Sequence, residues 1–263
     1  NFVDENTNKQ NLVIDIKKQE KITSYHSDIW SYILVNSTNI SDSLDEQTLM
    51  YMNRHLQDLD KFKEFLNDSY YFIFFVIEEL ENAKLPIELA FLPYIESNYD
   101  PSSISSSGAV GMWQFMPRTG RTYDLERSWW NEDRHDPFKS TSAAIKYLKY
   151  LYERFDQDLY LTLAAYNAGP SFLDRQIKRN QRRGLNSDYW SLDLPIQTRN
   201  YVPKFIAIKE LIINSDQYDI ELPFIPYEPV VAKIEIPGQV EILTLSEYCL
   251  LYTSPSPRDT TAS

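Results

Sequence analysis

Leu85-Pro86-Ile87-Glu88-Leu89-Ala90-Phe91-Leu92-Pro93-Tyr94-Ile95-Glu96-Ser97 is the stretch from which the rest of this chain is read. Its nearly unbroken apolar run predicts a core-packed helix that ends on Glu96. Apolar surroundings disfavour the charged form of a carboxyl and raise its pKa, the condition a general acid needs near neutral pH. The next residues, Tyr99-Asp100-Pro101-Ser102-Ser103-Ile104-Ser105-Ser106-Ser107-Gly108, have the Pro, Ser and Gly density of a loop. Such a loop leaves Glu96 at the end of an element and carries the chain back past it. Asp100 lies four residues beyond Glu96, but the Asp-Pro pair it forms with Pro101 is a turn former. Glu96 is then the one well-placed acid.

Two further groups accompany it: Gly108-Ala109-Val110-Gly111-Met112-Trp113-Gln114, and Ala164-Ala165-Tyr166-Asn167-Ala168-Gly169. Only 6 glycines occur in the chain, and Gly108, Gly111, Gly120 and Gly169 lie in or beside these groups, where backbone shape or close approach of a substrate would require them. For Gly120 a simple turn accounts for the residue equally well. One acid, one amide and one Tyr-Asn pair look like the parts of a sugar-cleaving site.

With 263 residues, 43% of them hydrophobic, the chain can bury a sizeable core in one or two domains, and a soluble enzyme is the default class. The formal charge of -12 argues against phosphate-backbone binding, so no nucleic acid is expected as a partner. The dense basic run Arg175, Lys178, Arg179, Arg182 and Arg183 either borders a cleft after Tyr166-Asn167 or is a solvated helix face. The single cysteine, Cys249, excludes an intramolecular disulfide framework. His26, His55 and His135 are too scattered to form a metal-ligand motif, so neither metal nor cofactor is expected. The most apolar run, residues 69–77, is far shorter than the ~20 residues of a membrane span. No signal peptide is visible.

Residues 1–24 are polar and read as a poorly ordered leader with one short apolar segment, Leu12 to Ile16. Residues 25–84 read as a helical extension packed on the core, with Trp30, Ile33 and Leu34, then Leu49, Met52, Leu56 and Leu59, then Phe62, Phe65 and Leu66 at helical spacing. Residues 85–222 read as the main helical domain, with one apolar face on Ala143, Ala144, Tyr147, Leu148, Leu151 and Tyr152 and another on Tyr201, Phe205, Ile208, Leu211 and Ile212. Pro223, Pro226, Pro229 and Pro237 mark 223–249 as a linker and the start of a further region. Residues 250–263 read as a non-native tail.

Glu96-Ser97, Ser105 to Gln114, Ala165-Tyr166-Asn167-Ala168-Gly169 and Gln197-Thr198-Arg199-Asn200-Tyr201-Val202-Pro203 occur in the order found in lytic transglycosylases, the lysozyme-like enzymes that cut bacterial peptidoglycan. The resemblance extends over roughly residues 25–230. It implies a predominantly α, lysozyme-like fold. It also implies that Glu96 serves as both acid and base with no enzyme nucleophile, the substrate's N-acetyl group and C6 hydroxyl supplying the rest. Peptidoglycan glycan strands would be the partner, and the setting periplasmic or outer-membrane-associated. A monomer is expected.

Ser97, Ser105, Gln114, Tyr166, Asn167 and Tyr201 are the expected substrate-binding residues. Gln114 offers both a donor and an acceptor, and Tyr166 is placed to hydrogen-bond Glu96. Ser97 and Ser105 orient the acid or the acetamido group, unless they are caps. Met112 and Trp113 bear on subsite shape. Trp129 and Trp130 offer a sugar platform, with core packing expected for at least one of them. Two alternatives remain open: a goose-type-lysozyme-like hydrolase of the same bond and a non-catalytic glycan-binding module.

Overall fold

The computed structural model describes residues 28–37 and 44–231, so the leader, His26, Cys249, most of the expected linker region and the tail lie outside the described residues. The described residues belong to one compact unit, 23–231. In chain order the α-helices are α1 (Ile29–Asn36), α2 (Glu46–Leu56), α3 (Leu59–Asn67), α4 (Ile73–Ala83), α5 (Leu92–Glu96), α6 (Pro117–Thr122), α7 (Pro137–Arg154), α8 (Leu159–Ala168), α9 (Pro170–Arg182), α10 (Ile196–Arg199) and α11 (Tyr201–Ile213). Four isolated β-bridges are the only extended pairings among the described residues. The expected predominantly α architecture is what forms.

Aspartates start five of these helices. Asp28, Asp45, Asp58, Asp136 and Asp158 each accept hydrogen bonds from first-turn amides of α1, α2, α3, α7 and α8. Each cap satisfies donors that a helix leaves unpaired and contributes about 1 kcal/mol. Helix α11 is the axis of the core: Tyr201, Val202, Phe205, Ile206, Ala207, Ile208, Leu211 and Ile212 are all buried. Helices α1, α2, α5 and α8 pack around it. A helix apolar on most of its circumference has no solvent face to give up and must be enclosed.

The apolar faces expected on α7 and α11 are buried except for half-buried Tyr152, and in the N-terminal helices Trp30, Ile33, Met52, Phe62 and Leu66 turn inward. Leu34, Leu49 and Leu59 do not; they stay exposed at the edges of their faces. The segment 85–96 is not one helix. Ile87–Phe91 is a buried 3-10 turn and α5 follows it. Pro93 has no N–H for the carbonyl of Leu89, so a continuous helix through this point would lose a bond.

Residues 223–227, expected to begin a linker, run extended against α1. Trp30 Nε1 donates to the Pro223 carbonyl at 2.6 Å, Ile29 N donates to the Ile225 carbonyl at 2.8 Å, and Tyr227 stacks on Tyr32 at 4.1 Å. Ile225 is fully buried there.

Candidate active site

Glu96 is the last residue of α5, and the chain turns sharply after it. Asn98 and Tyr99 both have positive φ, 58° and 60°, a left-handed conformation that disfavours residues with a Cβ by roughly 1–2 kcal/mol each. Packing holds the reversal in place. The Tyr99 ring is buried and its hydroxyl donates to the Ala90 carbonyl at 2.6 Å, which ties the turn back onto the 3-10 segment. Asp100 is the turn former its sequence predicts, accepting from the Ser102 amide at 2.8 Å and the Ser102 hydroxyl at 2.7 Å.

The Tyr201 hydroxyl, at the start of α11, donates a short hydrogen bond to Glu96 Oε1. Burial pushes the Glu96 carboxyl up to about 7, against smaller downward pulls from the Tyr201 hydrogen bond and the Lys204 ammonium. Burial dominates because a phenol stabilises a carboxylate less than a cation does, and exposed Lys204 acts through solvent. Tyr201 and Tyr166 are themselves raised well above the ordinary phenol value, first by burial and then by the Glu96 charge. Both are therefore held in the neutral, donating form.

The segment 103–115 closes beside this acid as a tight double turn. Val110 and Phe115 exchange backbone hydrogen bonds at 3.1 and 3.0 Å, and Gly111 N donates to the Ser103 carbonyl at 2.8 Å. Gly111 has φ +81°, and a Cβ there would stand 1.8 Å from the Arg134 carbonyl oxygen, so only glycine fits. Gln114, at φ 48°, donates its side-chain amide to the Gly111 carbonyl at 2.9 Å and the Ser103 carbonyl at 3.4 Å. Ser97 donates to the Met112 carbonyl at 2.8 Å. Ser105 Oγ accepts from the Ala109 amide at 2.9 Å and lies 3.0 Å from Ser107 Oγ. Both serines brace the loop instead of reaching Glu96.

Helix α8 supplies the remaining pair. Tyr166 does not hydrogen-bond Glu96 as its motif position suggested; its hydroxyl donates to the Trp113 carbonyl at 2.8 Å, tying α8 to the Gln114 loop. Asn167 Oδ1 accepts from Thr198 Oγ1 at 2.9 Å, which fixes the amide against α10. Met112 and Trp113 are fully buried, with Trp113 Nε1 donating to Thr141 at 2.9 Å, so both are core residues and line no subsite.

Residues 75–188 match the family model of the transglycosylase SLT domain. The chain is also 32% identical over 227 residues to membrane-bound lytic murein transglycosylase D of Escherichia coli (strain K12), an alignment that covers 84% of this chain and 48% of that protein. The chain carries a transglycosylase SLT domain. It spans about half the length of the transglycosylase D it matches. Membrane-bound lytic murein transglycosylase F of Alcanivorax borkumensis is 33% identical over 108 residues, covering 39% of this chain and 22% of that protein. Among solved structures, the 70 kDa soluble lytic transglycosylase of Escherichia coli is 19% identical with a TM-score of 0.45, covering 71% of this chain and 32% of that one.

Glu96, Ser97, Ser105, Gln114, Tyr166 and Asn167 fall within the matched SLT domain, whereas Tyr201, which touches the acid, lies beyond it. Three residues to which sequence reasoning gave no part in the site hold it together. Arg134 donates to the Gly108 carbonyl at 3.1 Å and the Phe115 carbonyl at 2.8 Å, clamping both ends of the Gln114 loop. Thr198 fixes Asn167. Tyr147 packs its ring 5.3 Å from that of Tyr166. Spacing puts Tyr147 on the apolar face of α7 and Thr198 in a matching motif, but no local pattern announces these contacts.

Proposed function

We propose that this chain is a peptidoglycan lytic transglycosylase, its domain of residues 85–222 cutting the β-1,4 bond between N-acetylmuramic acid and N-acetylglucosamine and leaving a 1,6-anhydromuramoyl end. The observation that carries the reading is the raised carboxyl of Glu96 at the end of α5. Glu96 sits near 7, and the groups that bear on its charge are a neutral phenol and one exposed ammonium. Most glycosidases divide the work between two carboxylates. With one, the attacking group has to come from the substrate.

Glu96, protonated over much of the neutral range, gives its proton to the glycosidic oxygen as the bond from that oxygen to the muramoyl C1 breaks. The oxygen of the substrate's own acetamido group bonds C1 and carries it through the charged stage. The Glu96 carboxylate then takes the proton of the C6 hydroxyl while the C6 oxygen bonds C1 and the acetamido oxygen departs. No water is consumed, and the proton is back on Glu96. A carboxyl with a pKa near the working pH can give and regain that proton in turn.

Tyr201 aims and steadies the carboxyl through its hydrogen bond. Gln114 and Asn167 have one end of each amide committed to the protein, which leaves the Gln114 carbonyl and the Asn167 amino group to meet sugar hydroxyls or the acetamido group. Ser97 and Ser105 are positioning residues that keep the Gln114 loop in shape. This function carries with it glycan strands as the partner, a periplasmic or outer-membrane-associated setting and a monomer, with no nucleic acid. Among the described residues no helix is long and apolar enough to cross a membrane.

Purified peptidoglycan digested with this chain and with Glu96→Gln tests the reading, with the muropeptides resolved by mass. Products lighter by one water than hydrolytic fragments, and missing with Glu96→Gln, are the expected result. Reducing-end products would make the enzyme a hydrolase instead, and products that persist with Glu96→Gln would remove Glu96 from the mechanism.

A further inference from the structure

Trp129 and Trp130 are the most anomalous side chains of the molecule. They are 88% and 92% exposed, whereas Trp30 and Trp113 are buried in the core. Core packing was expected for at least one of the pair; neither packs. Singly exposed apolar side chains are ordinary, but two adjacent tryptophans make a contiguous apolar patch, the kind of surface that marks an interaction site.

The backbone beneath these two is built. Ser128 N donates to the Asn131 carbonyl at 2.7 Å, and Ser128 Oγ accepts from the Trp130 and Asn131 amides at 3.2 and 3.0 Å. Arg127 and Glu132 close the base of the loop with an ion pair at 3.3 Å. Glu132 also takes a bidentate pair from Arg134, at 2.7 and 2.8 Å. The same guanidinium holds Gly108 and Phe115, so the tryptophan tip and the Gln114 loop are clamped by one side chain.

We propose that Trp129 and Trp130 form an outlying sugar-stacking subsite for an N-acetylated glycan strand. This rests on the transglycosylase reading for the identity of the strand. Two tryptophans offer about 300–500 Å² of contact, well below the ~800 Å² per partner of a stable protein interface. Flat apolar faces of this extent suit pyranose rings. An anionic bilayer is a poorer fit, since residues 124–133 contain Asp124, Glu126, Glu132 and Asp133 against one base, Arg127, which is already paired. A platform preorganised on the clamp that shapes the Gln114 loop would hold a strand whose scissile bond lies elsewhere along its length.

The test uses the Glu96→Gln chain with and without Trp129→Ala/Trp130→Ala, titrated with N-acetylglucosamine tetramer and with peptide-free glycan strands, and followed by tryptophan fluorescence and calorimetry. Because both side chains are exposed, the double substitution leaves the melting temperature unchanged. The expected result is a ligand-dependent blue shift that the double variant lacks, with strand affinity about tenfold weaker and recovery in Trp129→Tyr/Trp130→Tyr. In the otherwise wild-type enzyme the double substitution raises KM and spares kcat. Equal strand affinity in both proteins overturns the subsite, as does a fluorescence response to mixed phosphatidylcholine and phosphatidylglycerol vesicles with none to glycan. A wild-type chain that binds strands through the tip but cleaves nothing refutes the transglycosylase reading and leaves the subsite standing.

Discussion

Two acidic regions of the same compact unit have opposite chemistry. At Glu96 burial wins, and the carboxyl is held near 7 with a phenol as its direct partner. At Asp133 burial also pushes upward, but the Lys139 ammonium, the Glu126 amide and the Asn131 side chain together hold the carboxyl below its ordinary value. Neighbouring Glu132 is lowered as well, first by its hydrogen bonds to Arg134. Burial is common to both regions. The kind of donor decides whether a buried acid becomes a proton carrier or a structural anion.

The sharpest way to break this contrast is Glu96→Gln. Loss of an acid-base group costs about 10²–10⁴ in rate, and kcat/KM on solubilised glycan strands should fall at least that far. The same substitution separates catalysis from stability. The folded chain holds the Glu96 proton more tightly than the unfolded chain, so stability falls as pH rises from the ordinary carboxylate range through about 7. Glu96→Gln should therefore be more stable than the wild type at pH 8, by up to about 3 kcal/mol. Thermal melts should show the advantage vanishing near pH 4; an equal advantage at both pH values would sink the assignment.

Arg134→Met strikes the other region. It takes from Glu132 its bidentate partner and leaves it only Arg127, and it removes a donor from the Gly108 and Phe115 carbonyls, the latter keeping the Val110 amide; a loss of about 2–3 kcal/mol is expected for charge-assisted hydrogen bonds. Urea denaturation should register that loss, and activity should fall with the Gln114 loop even though Glu96 is untouched.

Asp133→Asn is a smaller perturbation with the reverse pH sign to Glu96. Its lowered pKa contributes stability above the ordinary carboxylate range that is lost as pH falls, so the variant should be less stable by about 1–2 kcal/mol at pH 7 and converge on the wild type in acid.

Tyr201→Phe has the smallest effect on the fold, about 1 kcal/mol for one hydrogen bond. It removes a downward pull on Glu96, so the alkaline limb of the pH–rate profile should move to higher pH. A limb that stays in place would mean that Tyr201 does not govern the acid.

Much of this was legible in the chain, for reasons that can be stated residue by residue. Glu96 at the end of an apolar segment, Asp100 as a turn and the apolar faces of α7 and α11 depend on neighbours a few residues away, and spacing reports such neighbours. The partner of Glu96 was not legible. Tyr166 and Tyr201 are both tyrosines in matching motifs, and only the packing of α8 and α11 sends one hydroxyl to Trp113 and the other to the carboxyl. The tryptophan pair misled because hydrophobicity alone predicts burial, whereas a tip closed by Ser128 and by the Arg127–Glu132 pair has no interior to offer.

By itself, the sequence determined that the chain is helical, which faces of its long helices are apolar and which acid stands at the end of an apolar run, because periodicity and local composition act over a turn or two. Tertiary structure alone decided the rest: a phenol 105 residues away reaches Glu96, Arg134 clamps the Gln114 loop, and the two tryptophans face water. Those outcomes depend on side-chain directions and on burial shared between distant segments, and no local pattern encodes either.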